Sequence, residues 1–197
     1  LKTYQPPAAV SQELFKTEMK NLHMYGYGLK SMMLSMIETA CRITGGKENL
    51  HCAEEIIRLG QELLQKPVTL LDGVEDVLLQ LQGKYKLVLA TKGDLFDQKR
   101  KVMDSGLVRY FCHIEIMSDK KEADYQKLLN TMGCAPQNFL MLGNSIKSDI
   151  LPILNLGGYV AHIPYHITWQ YENHEGNVTH PNFLQLKNIK DIIGYLL

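Results

Sequence analysis

The sequence has 197 residues, 45% of them apolar and 21% charged, and its 21 Lys+Arg balance its 21 Asp+Glu. That length fits one domain, or one with a modest insertion, and folding at this size buries roughly 70% of the unfolded surface, enough for a core without covalent staples. The composition excludes a disordered chain, and a net charge of zero leaves no electrostatic footprint for nucleic acid or anionic lipid.

The four cysteines (41, 52, 112 and 134) show no CxxC and no regular spacing, which argues against a disulfide scaffold or a Cys-rich zinc site. They suit a reducing, cytoplasmic setting. No apolar run is long enough to span a membrane. The amino terminus lacks the charged start and apolar stretch of a signal peptide and begins with Leu, so the chain is expected to start inside a longer gene product.

In chain order, the first third reads as helical. Residues 12–24 place Leu14, Phe15, Met19 and Leu22 on one face, and a second stripe runs Leu29, Met32, Met33, Met36, Ile37 and Ala40 before Gly45-Gly46. A third helix, 51–64, has Ile56, Ile57, Leu59 and Leu63 directed inward. The methionines read as core. The Tyr25–Lys30 turn, with glycines at 26 and 28, reads as a backbone-free segment with a role in specificity.

From Pro67 the period changes. Strand-length runs at 86–91, 114–117, 139–143 and 159–163 alternate with helical stretches at 74–83, 95–104, 122–132 and 147–156. Gly83, Gly106, Gly133 and Gly157 follow those helices as C-terminal caps. Strands separated by helices imply βαβ units and a parallel sheet, with ligands bound beyond the carboxyl ends of the strands. The expected organisation is a helical domain over 1–66 and an α/β domain over 67–197.

Three strand ends carry polar residues. Thr91-Lys92-Gly93-Asp94 offers a hydroxyl and a helix start, a plausible oxyanion seat. Ser118-Asp119-Lys120-Lys121 brings ammonium groups, compact point charges that suit a transferring phosphoryl group. Gly143-Asn144-Ser145-Ile146-Lys147-Ser148-Asp149 brings an amide and a carboxylate, hard oxygen ligands that suit Mg²⁺. Each alone also reads as ordinary helix capping. His162 and His166 read as structural, Trp169 and Tyr171 as packing, and the Asn177-Val178-Thr179 sequon as chance.

The order and spacing of these three elements resemble the haloacid dehalogenase superfamily of phosphohydrolases, across essentially the whole chain. The resemblance implies a Rossmann-like parallel sheet core with an α-helical cap. It implies Thr91 as the residue binding a phosphoryl oxygen, with Lys92 and Gly93 beside it. Lys120 then stabilises an aspartyl-phosphate, with Lys121 the less favoured candidate, and Asn144 and Asp149 hold Mg²⁺. The activity implied is hydrolysis of a small phosphorylated metabolite by a monomer or homodimer, with no nucleic-acid or membrane partner. Haloacid dehalogenation and a catalytically inactive binding module are the alternatives.

Two departures from the family pattern stand out. No two aspartates are separated by a single residue, so the D-x-D that carries the family's nucleophile is not in this sequence. Asp72 sits at the turn leading into the core and is rejected for that role. The nucleophile-bearing strand is therefore expected upstream, on roughly 30 further residues. Asn144 stands where many relatives place Asp, which removes one negative charge and is expected to weaken the metal site without abolishing it.

Overall fold

The computed structural model describes residues 1–47 and 49–197. The chain divides into two compact units, one of Leu1–Thr69 with Lys92–Gly106, the other of Leu70–Thr91 with Leu107–Leu197. Among the described residues no helix is long and apolar enough to cross a membrane.

The first unit is helical: α1 (Pro7–Tyr25), α2 (Leu29–Thr44), α3 (Asn49–Gln65) and α5 (Leu95–Asp104). Helix α1 begins five residues earlier than the apolar stripe indicates, because Pro7 occupies its first position, where no backbone N–H is needed. The seam between α1 and α2 is polar. Thr17, Asn21, Ser35 and Thr39 are the buried residues there, while Leu14, Phe15, Met19 and Leu22, expected to form the inward face, are only half-buried. Short hydroxyl and amide side chains let the helices approach and hydrogen-bond across the seam, although Asn21 Oδ1 is buried without a partner. Thr39 Oγ1 donates to Thr17 Oγ1 at 3.0 Å, and Asn21 Nδ2 to Ser35 Oγ at 3.3 Å.

Helix α3 corrects a second expectation. Ile56 is buried, but Ile57, Leu59 and Leu63 are exposed. The α2–α3 contact is made at Gly60, where the Met33 thioether fills the space a β-carbon would need. Met32, Met33 and Met36 are thus half-buried, and with Leu59 and Leu63 they line a shallow apolar cleft.

Helix α5 starts at Asp94, whose carboxylate accepts from the Asp97 backbone N–H at 2.9 Å. Asp97 is itself buried and pairs with Arg100 at 2.8 Å and Lys101 at 2.9 Å. Burial pushes its pKa up, but the two cations outweigh that and hold it below the ordinary carboxylate value. A depressed pKa contributes stability above the unfolded value of roughly 4 and loses it as pH falls through the folded value. Asp97→Asn is therefore expected to cost about 2 kcal/mol at neutral pH. In denaturant titrations the gap should close on acidification below about pH 4; a gap unchanged at low pH would dismiss the ion pairs as its source.

The second unit is α/β. Its strands are β1 (Val88–Lys92, whose last residue falls in the first unit), β2 (His113–Met117), β3 (Leu140–Gly143), β4 (Tyr159–His162) and β5 (Phe183–Gln185). Its helices are α4 (Val74–Leu81), α6 (Glu122–Met132), α7 (Leu151–Asn155) and α8 (Ile193–Leu196). Strands β3, β4 and β5 form a parallel sheet in which Met141 lies opposite Val160 and Val160 opposite Phe183. Strands β1 and β2 form a separate pair. Three-residue β5 is too short to register as an alternating run and is absent from the sequence expectation.

Period-two alternation assigns the strands to two cores. Met117, Met141 and Val160, with Val88 and Ala90 beside them, pack with Tyr125, Leu128, Ile150, Ile153 and Leu154. Their neighbours Leu87, Leu140, Leu142 and Ala161 pack with Val77, Leu81, Leu186 and Ile192. Both sheet pieces contribute to the first core, and Leu87, just before β1, joins the second. Of the expected caps, Gly133 ends α6 in the left-handed region (φ 58°), its N–H donating to Asn130 and Leu129 carbonyls.

Candidate active site

The expected helix over 147–156 is not continuous. Residues Ile146–Ile150 form a π-turn, in which Ser145 O accepts from both Asp149 N (2.8 Å) and Ile150 N (3.2 Å), and α7 starts only at Leu151. Pro152 supplies the reason. It has no N–H to give the carbonyl four residues back, Ser148, so the α-helical ladder is broken there. The freed Ser148 carbonyl accepts instead from the buried Tyr125 hydroxyl at 3.0 Å. Burial and the neighbouring Asp149 charge drive the Tyr125 pKa upward, so the phenol keeps its proton.

This turn fixes Asp149. Its Oδ2 accepts from Ser145 N at 3.0 Å, and its Oδ1 accepts from Lys120 Nζ at 2.7 Å. The pair is nearly dry, with side chains 10% and 6% exposed for Lys120 and Asp149. Lys121 is 70% exposed and pairs with Asp119 at 3.0 Å. Asp119 also accepts from Lys120 N at 2.8 Å, which braces the segment that follows β2.

Gly143 ends β3 against this carboxylate, since a β-carbon there would overlap Asp149. Asn144 follows as an exposed residue; its carbonyl meets His162 Nε2 at 3.1 Å, while His162 Nδ1 lies 2.9 Å from Gln185 Oε1. His162 thereby ties the loop to β4 and β5, a structural role. Thr91 is half-buried near the end of β1. Lys92 and Gly93 fall in the first unit, where the Lys92 ammonium lies 4.2 Å from the centre of the Tyr27 ring. Tyr27 belongs to the Tyr25–Lys30 turn, which also sends Lys30 to Asp94 at 3.0 Å and brings Gly28 (φ 114°) close to the Asp94 backbone. The structure thus joins Lys120 to Asp149 directly and sets Asn144 at the start of the same loop.

Glu172 is the residue that local patterns miss. It reaches back from the 3₁₀ turn Gln170–Glu172 to accept hydrogen bonds from the hydroxyls of Ser145 and Ser148, the latter at 2.6 Å. Twenty-four residues separate it from Ser148, so no spacing rule exposes it. Pro152 was the available signal for the π-turn and hence for Tyr125.

Asn144 and Asp149 offer oxygen donors of the kind Mg²⁺ takes, while among the described residues no group of three or more His, Cys, Asp or Glu gathers to hold a metal ion. Both are hard oxygen ligands, the Asn144 amide is exposed, and each Asp149 oxygen keeps a lone pair beyond the bond it already accepts. Mg²⁺ is commonly held by one or two carboxylates plus substrate phosphate and retains several waters.

The parallel α/β unit thus gathers a buried lysine–carboxylate pair beyond the ends of β2 and β3. Comparison gives the family. The profile of haloacid dehalogenase-like hydrolases matches residues 25–157, and the chain belongs to that family. A solved haloacid dehalogenase-like family hydrolase from Xanthomonas campestris superposes with a TM-score of 0.87 at 32% identity, covering 100% of this chain and 79% of that one. A predicted phosphoglycolate phosphatase from Haemophilus somnus shares the fold at a TM-score of 0.63 and 14% identity, over 94% of this chain and 91% of its own. The N-acylneuraminate-9-phosphatase of Mus musculus is 28% identical over 141 residues, 68% of this chain. The chain spans 57% of that relative's length.

Proposed function

We propose that this chain belongs to a Mg²⁺-dependent phosphomonoester hydrolase that acts through an aspartyl-phosphate on a small phosphorylated metabolite. The buried Lys120–Asp149 pair is the observation that carries the reading. A lysine held dry at a strand end is poised for a phosphoryl group, because its charge needs no reorganisation when the substrate arrives.

In this mechanism Thr91 donates its hydroxyl proton to a phosphoryl oxygen, and Lys92 and Gly93, next in the chain, add to the same seat. Lys120 uses one ammonium proton on Asp149 and offers the others to the phosphoryl oxygens. A carboxylate oxygen attacks phosphorus, the P–O ester bond breaks, and the leaving oxygen takes up a proton. Water then attacks the same phosphorus, releasing inorganic phosphate and regenerating the carboxylate. Asn144 and Asp149 would hold Mg²⁺, which would supply positive charge against the phosphoryl oxygens. The attacking carboxylate is assigned to a further strand; the division of the strands into two separate sheets that pack on one core supports this. Residues 1–66 act as the cap that sets substrate choice.

The test is phosphate release from p-nitrophenyl phosphate and a panel of sugar phosphates. N-acylneuraminate 9-phosphate heads the panel because of the relatives' name. Release that needs Mg²⁺ and stops with EDTA is the expected result. Release unaffected by EDTA, or halide release from 2-haloacids without metal, would overturn it. The absence of a D-x-D favours one other reading, a non-catalytic binding module. Under that reading the intact protein releases no phosphate from any ester.

A further inference from the structure

We infer that Glu172 is a positioning residue for the metal site, holding the Ser145–Asp149 turn in the shape that binds a divalent cation. The inference rests on the proposal that Asn144 and Asp149 hold Mg²⁺.

A chain of hydrogen bonds leads from Glu172 to the candidate ligand. Glu172 Oε2 accepts from the hydroxyls of both Ser145 and Ser148. With its proton committed to Glu172, the Ser145 oxygen is free to accept, and it takes the Ser148 N–H at 2.9 Å. Ser145 N in turn donates to Asp149 Oδ2 at 3.0 Å. Ser145, Ser148 and Asp149 are all buried, so without Glu172 two hydroxyls would lose a charged acceptor away from bulk water. A second strut acts on the same turn, since Lys147 donates to the Tyr171 carbonyl at 3.2 Å and its ammonium lies 3.4 Å from the Tyr171 ring centre.

Charge gives the arrangement a purpose beyond packing. Asn144 brings an amide to a site where a second carboxylate would raise cation affinity. Glu172 adds a negative charge just behind the turn, where its hydrogen bonds keep it from binding the cation in Asp149's place. Groups behind a metal's ligands characteristically change affinity by 10- to 100-fold when removed.

The sequence supplies its own probe. Trp169 is the only tryptophan, and its ring lies 5.1 Å from that of Tyr171 on the segment that carries Glu172. Mg²⁺ titration of the full chain, followed by Trp169 fluorescence and by calorimetry, reads binding without any assay of turnover. For Glu172→Gln, which keeps the side-chain shape but removes the charge, the expected result is Mg²⁺ affinity at least tenfold weaker. Ser145→Ala is expected to weaken binding as well, and the double variant to be no weaker than Glu172→Gln alone, because both changes break the same chain of bonds. Wild-type affinity in Glu172→Gln, or additive losses in the double variant, would overturn the positioning role. A wild-type chain that binds no Mg²⁺ would instead overturn the metal reading, and this inference with it; that result is recognised before any variant is compared.

Discussion

Lys120→Ala is expected to lower turnover of the intact protein at least a hundredfold, with Lys121→Ala within about twofold of wild type. Removing a preorganised electrostatic contact of this kind costs about 2.7–4 kcal/mol in the barrier. The contrast between the two lysines rests on their surroundings, since Lys120 is nine-tenths buried on Asp149 and Lys121 extends into solvent beside Asp119. Lys120→Arg is not expected to restore activity, because a planar guanidinium needs more room than a compact ammonium in that space. Truncation also leaves the Asp149 carboxylate buried without its cation, a loss of about 3–5 kcal/mol in folding stability. Kinetics must therefore be read well below the unfolding transition, on protein shown to be folded by circular dichroism. Turnover of Lys120→Ala within tenfold of wild type would remove Lys120 from the mechanism.

The part of this site that the sequence made legible is the part held by local chemistry. Strands β1 to β4 stand out because apolar runs end in polar residues, and the helices between them because a glycine follows each within two residues of its end. Lys120 and Asp149 were visible as candidates for the same reason, each at the end of a strand. What was not legible depended on groups meeting from distant positions. The choice between Lys120 and Lys121 turns on a bond to a carboxylate 29 residues away. Glu172 finds Ser145 and Ser148 only after β4 has placed its segment across the turn. The helical unit failed differently: periodicity marks Leu14, Phe15, Met19 and Leu22 as an inward face, yet Thr17 and Asn21 are what α1 buries, each hydrogen-bonded to a hydroxyl on α2.

Gly143 shows how tightly the site is specified, and Gly143→Ala is the second large effect expected. Its backbone does not demand glycine, since it is absent from the residues with positive φ. Space does. All three atoms nearest to an added β-carbon belong to the Asp149 side chain. That side chain cannot step aside freely, because Lys120 holds one oxygen and Ser145 N the other. The strand cannot retreat either, with the Gly143 carbonyl accepting from Ile163 N at 2.9 Å. Overpacking of this kind costs about 1–3 kcal/mol. Gly194→Ala is the control, because nothing lies within 4 Å of its added carbon, and in a helix the change is neutral or stabilising by up to about 1 kcal/mol. Urea denaturation of both variants decides the stability effect, and Mg²⁺ calorimetry shows whether the carboxylate has been displaced. If Gly143→Ala matched Gly194→Ala in stability and bound Mg²⁺ as wild type does, the close packing of β3 against Asp149 would not be what sets the carboxylate's position.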